Sequence, residues 1–75
     1  MIKIPILTEK LQAVLDLIKQ GFKTEDIANM QGVKFEAIEA RRNRLLTAIK
    51  MANPDYKFET IKDVLQQIEL EGETK

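Results

Sequence analysis

The sequence predicts an all-α fold: a small domain of four helices behind a short extended N-terminal arm. Three observations predict it. Apolar residues recur at three- and four-residue intervals through most of the chain, the period of a helix with one buried face. Gly21, Gly32 and the run Asn53-Pro54-Asp55 interrupt that pattern at helix-length intervals. The chain has 75 residues, 44% hydrophobic and 32% charged, which suits one globular domain rather than a disordered segment.

The elements follow in order. Residues 2–6, "IKIPI", alternate apolar and polar like a short strand. Pro5 lacks a backbone donor, so this stretch is an edge or an arm (residues 1–7), lying on the helices or pairing with a second copy. Thr8 is a good N-cap, and Leu11, Val14, Leu15 and Ile18 make one apolar face, so a first helix spans roughly 8–20. Gly21 ends it, where a positive φ costs glycine little. Thr24 is the next N-cap, with Glu25 and Asp26 in the first turn and Ile27, Ala28 and Met30 as a short apolar face. Gly32 ends this second helix. A third runs from Phe35 to Met51 on a stripe of Ile38, Leu45 and Ile49, flanked by Phe35 and Leu46. These three helices make a core over 8–51. "NPD" breaks the chain at 53–55, and a fourth helix is expected over 53–70, capped by Asn53 or Asp55. Residues 71–75, acidic and containing Gly72, read as a frayed tail.

Composition narrows the function classes. There is no Cys and no His, so disulfides, Cys/His zinc sites and Ser/His/Asp or Cys/His nucleophilic catalysis are excluded. Asp55, Glu59 and Asp63 share a helical spacing, but without a loop of oxygen ligands they read as a solvated face. "GFKTED" lacks the second glycine and the Gly-Lys-Thr/Ser end of a phosphate loop. The expectation is therefore no enzyme, no cofactor and no metal. No apolar run is long enough for a membrane span, and "MIKIPIL" has no signal-peptide core, so a cytoplasmic location is expected. Net charge is zero, yet the charge is unevenly spread. From 34 to 50 the basic residues are Lys34, Arg41, Arg42, Arg44 and Lys50, against Glu36 and Glu39. An acidic C-terminus balances this basic middle.

The second helix, a glycine turn and the third helix form a candidate helix-turn-helix. Ala28 is small where two helices must approach, and Val33 and Ile38 plug the angle between them. Read together, residues 7–49 resemble the LuxR/GerE-type DNA-binding domain. The resemblance rests on Leu7-Thr8, Val14-Leu15, Gly21, Asp26-Ile27-Ala28 and Gly32-Val33, aligned without a gap, with Ile38 and Leu45 on core positions of the third helix. The stretch is also similar to region 4 of bacterial sigma factors. There, Glu36 matches a base-contacting glutamate, and Arg41 and Arg44 match an Arg-x-x-Arg pattern. The chain departs from the family pattern at Leu11, Lys34 and Ala37, where Glu, a Ser/Thr cap and Thr are usual. Those departures remove backbone and phosphate hydrogen bonds.

The resemblance implies a DNA-binding transcriptional regulator with its third helix in the major groove of double-stranded DNA. On a helical wheel of about 100° per residue, Glu36, Ala40, Asn43 and Thr47 lie opposite Ile38, with Glu39 to one side. Asn43 suits adenine, and Glu36 or Glu39 suits cytosine. Arg41 and Arg44, on one flank of the stripe, suit phosphate or guanine, and Lys34 lies close by. Lys23 and Thr24 would meet backbone phosphates at the start of the second helix. The bland alternative for Glu36 and Glu39 is a solvated face. Arg42 falls inside the apolar stripe. Its stem covers the core rim while its head reaches solvent, or it meets an acid on another chain or on the fourth helix. Phe58, Ile61, Leu65 and Ile68 repeat like an a/d seam, which either closes the core or pairs two copies as a homodimer. Zero net charge and the outward glutamates favour a second reading: a helix-turn-helix scaffold that binds a protein such as RNA polymerase or another regulator.

Overall fold

The computed structural model describes residues 2–73, as four α-helices without a strand among them. Helix α1, Glu9–Lys19, starts where the Thr8 hydroxyl accepts the N–H of Leu11 at 3.3 Å. It ends at Gly21, whose φ of 96° is the left-handed conformation an L side chain resists. The N–H of Phe22 then reaches the carbonyl of Leu17, and that of Gly21 reaches Ile18. This paired closure satisfies carbonyls the helix end leaves open. Gly32 repeats the device with φ 66°, the N–H of Val33 bonding to Ala28 and its own to Asn29. Both glycine stops read from the sequence are thus in place.

Helix α2, Thr24–Gln31, differs from expectation at its start. Lys23, not Thr24, is the N-cap, and its backbone N–H is accepted by the Asp26 carboxylate at 3.4 Å. Thr24 is the first helical residue, and its hydroxyl accepts a hydrogen bond from the Arg42 guanidinium instead. A charged donor makes the stronger bond to that oxygen than a backbone amide does. Ile27 and Ala28 are buried as expected, but Met30 is 56% exposed and adds nothing to the core.

Helix α3, Phe35–Ala52, runs through the middle of the fold and packs on both α1 and α2. Ile38, Leu45 and Ile49 are fully buried, with Val14, Leu15 and Ile18 of α1 and Ile27 of α2 in the same cluster. Burying a Leu or Ile side chain is worth about 1.5–3 kcal/mol, so this apolar stripe is what holds an eight-residue α2 in place.

The fourth helix is shorter than expected and shifted. Residues 53–60 are not helical, and α4 spans Ile61–Glu73. Neither Asn53 nor Asp55 caps it. Thr60 and Asp63 do so reciprocally: the Asp63 carboxylate accepts from the N–H of Thr60 at 3.0 Å and of Glu59 at 2.9 Å, and the Thr60 hydroxyl accepts from Asp63 N–H at 3.4 Å. Phe58 therefore plugs the core from the connecting segment, with Tyr56 stacked on it at a centroid distance of 5.3 Å.

Asn53 has a different task. In a continued helix its backbone N–H would bond to Ile49, but it bonds to Lys50, and its side-chain amide caps the Ile49 carbonyl at 2.8 Å. The same side chain grips the N-terminal arm. Its Oδ1 accepts from Lys3 N–H and its Nδ2 donates to Lys3 C=O, both at 2.7 Å. It is 4% exposed and the buried polar side chain of the domain's described residues, so each of these bonds counts in full. Glu71 holds the arm a second time, accepting from Ile2 N–H at 2.7 and 3.0 Å, from Tyr56 O–H at 2.8 Å and from Gln67 at 3.2 Å. Residues 71–73, read as fraying, are helical, and Glu71 carries this clamp, while 74 and 75 lie outside the described residues. The arm lies on its own chain, as one of the two sequence readings had it.

Candidate nucleic-acid interface

The outer side of α3 is open to solvent along its length. Glu36, Glu39, Ala40, Asn43, Arg44 and Thr47 are all exposed, and Lys34 is exposed at the N-cap. The contrast with the fully buried Ile38, Leu45 and Ile49 follows from the helical period: a residue three or four places on returns to the same face. Towards the C-terminal half, Asn43, Arg44, Thr47, Ala48 and Met51 line a shallow concavity of about 370 Å³. Met51 is 78% exposed and leaves apolar surface beside the polar groups.

The expected cationic residues divide into two groups. Lys23, Lys34 and Arg44 are exposed. Arg41 is half-buried and donates to the Gln31 side chain at 2.9 Å, tying α3 to the end of α2. Arg42, also half-buried, donates to Thr24 at the start of α2. Its partner within the chain is a neutral hydroxyl. The two arginines thus brace α2 against α3 at opposite ends. That bracing role was missed in the sequence. The signal was there in part: Arg42 falls inside the apolar stripe, the side that faces other helices.

Thr24 is the first residue of α2 and not its cap. With its oxygen accepting from Arg42, the hydroxyl proton remains to donate. Glu25 and Asp26 stand exposed in the same first turn, and their charge opposes an approaching phosphate there.

The seam expected for pairing is turned inward. Phe58 is 5% and Ile61 4% exposed, both within the single chain's core, and Leu65 and Ile68 pack at its margin. Among the described residues no group of three acidic, His or Cys side chains is placed to hold a metal ion. No helix among them is long and apolar enough to cross a membrane.

Among the described residues three ionisable side chains are shifted, all in α4 and the segment before it rather than on α3. Backbone N–H groups of Glu59 and Thr60 hold the Asp63 carboxyl below its usual range. The N–H of Ile2, then the Tyr56 hydroxyl and Gln67, do the same for Glu71. Tyr56 is pushed up, chiefly because its proton is held by Glu71. No family model, no curated protein and no solved structure matches the chain.

Proposed function

We propose that this domain is a DNA-binding regulator of transcription that lays the outer face of α3 in the major groove. The observation that carries the reading is the division of α3: one side fully buried against α1 and α2, the other exposed from Glu36 to Thr47. A long helix held from behind and free in front can enter a groove about 12 Å wide. The short α2 and the turn at Gly32, together with the resemblance over residues 7–49, support it. In this reading Asn43 pairs with adenine, Ala40 and the Thr47 methyl meet thymine methyls, and Arg44 takes guanine or phosphate. Glu36 and Glu39 accept from cytosine or exclude bases that present an acceptor. Lys23, Lys34 and the Thr24 hydroxyl meet the backbone. Arg41 and Arg42 are positioning residues, which set α3 against α2.

Backbone-amide NMR mapping with a mixed-sequence duplex tests this. Shifts centred on Lys34, Ala40, Asn43, Arg44 and Thr47 are expected. Shifts confined to the arm or α4 would overturn it.

A second reading has its own observation. Two of the three arginines are engaged within the fold, and two glutamates stand on the outward face of a chain with no net charge. That surface also suits a protein partner such as RNA polymerase or another regulator, and with such a partner DNA would shift no α3 amide.

A further inference from the structure

The turn after α1, the start of α2, the first half of α3 and the first half of α4 line a groove of about 540 Å³. Its apolar wall is Ile18, Phe22, Phe35 and Leu65. Phe22 and Phe35 are 39% and 45% exposed, although each exposed Å² of ring forfeits roughly 25 cal/mol of burial. Its rim is cationic: Lys23, Arg42 and Lys62 against the single carboxylate of Glu25. Because Arg42 bonds to a hydroxyl, its charge is not cancelled by that partner. The whole chain is neutral, so this excess is a local feature. Aromatic walls under a rim with an excess of positive charge select a ligand with the complementary pattern.

We propose that this groove docks an acidic segment of a partner protein, one that sets bulky apolar side chains between carboxylates. The apolar side chains cover Phe22 and Phe35, and the carboxylates meet Lys23, Arg42 and Lys62. Duplex DNA supplies the anions but not the apolar anchor. Docking stands without the DNA reading and goes beyond it. If that reading also holds, Lys23 and Thr24 cannot serve both ligands at once, and the partner displaces DNA.

The test uses the intact chain without DNA. The probe is a fluorescein-labelled peptide, Asp-Glu-Phe-Asp-Asp-Leu-Leu-Glu-Asp, followed by anisotropy and amide NMR. One control replaces its Phe and Leu by Ser, and another replaces its acids by Lys. Saturable binding is expected, with shifts at Phe22, Lys23, Phe35, Lys62 and Leu65, and with both controls much weaker. Lys23→Glu with Lys62→Glu should weaken binding about ten-fold or more at unchanged melting temperature, since both lysines are exposed. No saturation by about 1 mM peptide, the affinity of a bare encounter, would overturn the proposal. So would shifts centred on Asn43 and Met51, or equal affinity for the serine control. None of these failures bears on DNA binding by α3.

Discussion

The two ends of this domain are closed by different physics. Where α1, α2 and α3 meet, closure is apolar: Val14, Leu15, Ile27, Ile38, Leu45 and Ile49 are fully buried. Where the arm meets the α3 end and α4, closure is polar: Asn53 and Glu71 tie Lys3 and Ile2 to helices 50 and 69 residues away in sequence. Apolar burial is non-directional and tolerates small shifts, whereas a buried amide must meet its partners in one orientation. The first end should therefore govern whether the chain folds, and the second how the N-terminus is placed.

The comparison breaks first, and hardest, at the apolar end. Ile38→Ala should cost about 2–5 kcal/mol in chemical denaturation, because it leaves a cavity among three helices. An equal truncation at exposed Met51 should change stability little. At the polar end, Asn53→Ala should cost about 1–3 kcal/mol by stranding the Lys3 backbone and the Ile49 carbonyl. Hydrogen exchange separates the two ends. In Asn53→Ala the Lys3 amide should lose protection while the Ile38 and Leu45 amides keep theirs. If α3 loses protection in step, the two ends are one cooperative unit and the comparison fails. Smaller still is Gly32→Ala. A Cβ there meets nothing within 4 Å, so the cost is conformational alone, about 1–2 kcal/mol.

Acid probes the arm clamp at Glu71 and the α4 cap at Asp63. Glu71 and Asp63 have folded values below their unfolded ones. Their contribution is complete above the ordinary carboxylate range and is lost as pH falls through the folded values. Tyr56 has the opposite sign: its contribution is complete below the ordinary tyrosine range and is lost as pH rises through its raised value. Thermal melts against pH should fall at both extremes, and Glu71→Gln should flatten the acid limb. An unchanged acid limb would remove Glu71 from the account of the arm.

The apolar end was legible in the sequence because its signals are local and periodic. Thr8, Gly21, Gly32 and the Ile38–Leu45–Ile49 stripe each act within a turn or two of chain. The polar end was not, since nothing near Asn53 announces Lys3, and nothing near Glu71 announces Ile2. The α4 start was missed for another reason. Phe58 and Ile61 fit a helical stripe, so the apolar period outweighed the cap written in "TIKD", Thr60 to Asp63. On the candidate interface, the exposure of Glu36, Ala40, Asn43 and Arg44 was readable from the wheel. The capture of Arg41 by Gln31 and Arg42 by Thr24 was not, because it depends on where α2 sits.

The central claim is that the free face of α3 binds DNA, and a salt series on a mixed-sequence duplex tests it most directly. The folded chain should bind at low salt, with log K falling linearly against log salt, and Arg44→Ala should reduce that slope by about one counterion. A folded chain that does not bind at low salt, or an Arg44→Ala variant with the wild-type slope and affinity, would contradict it.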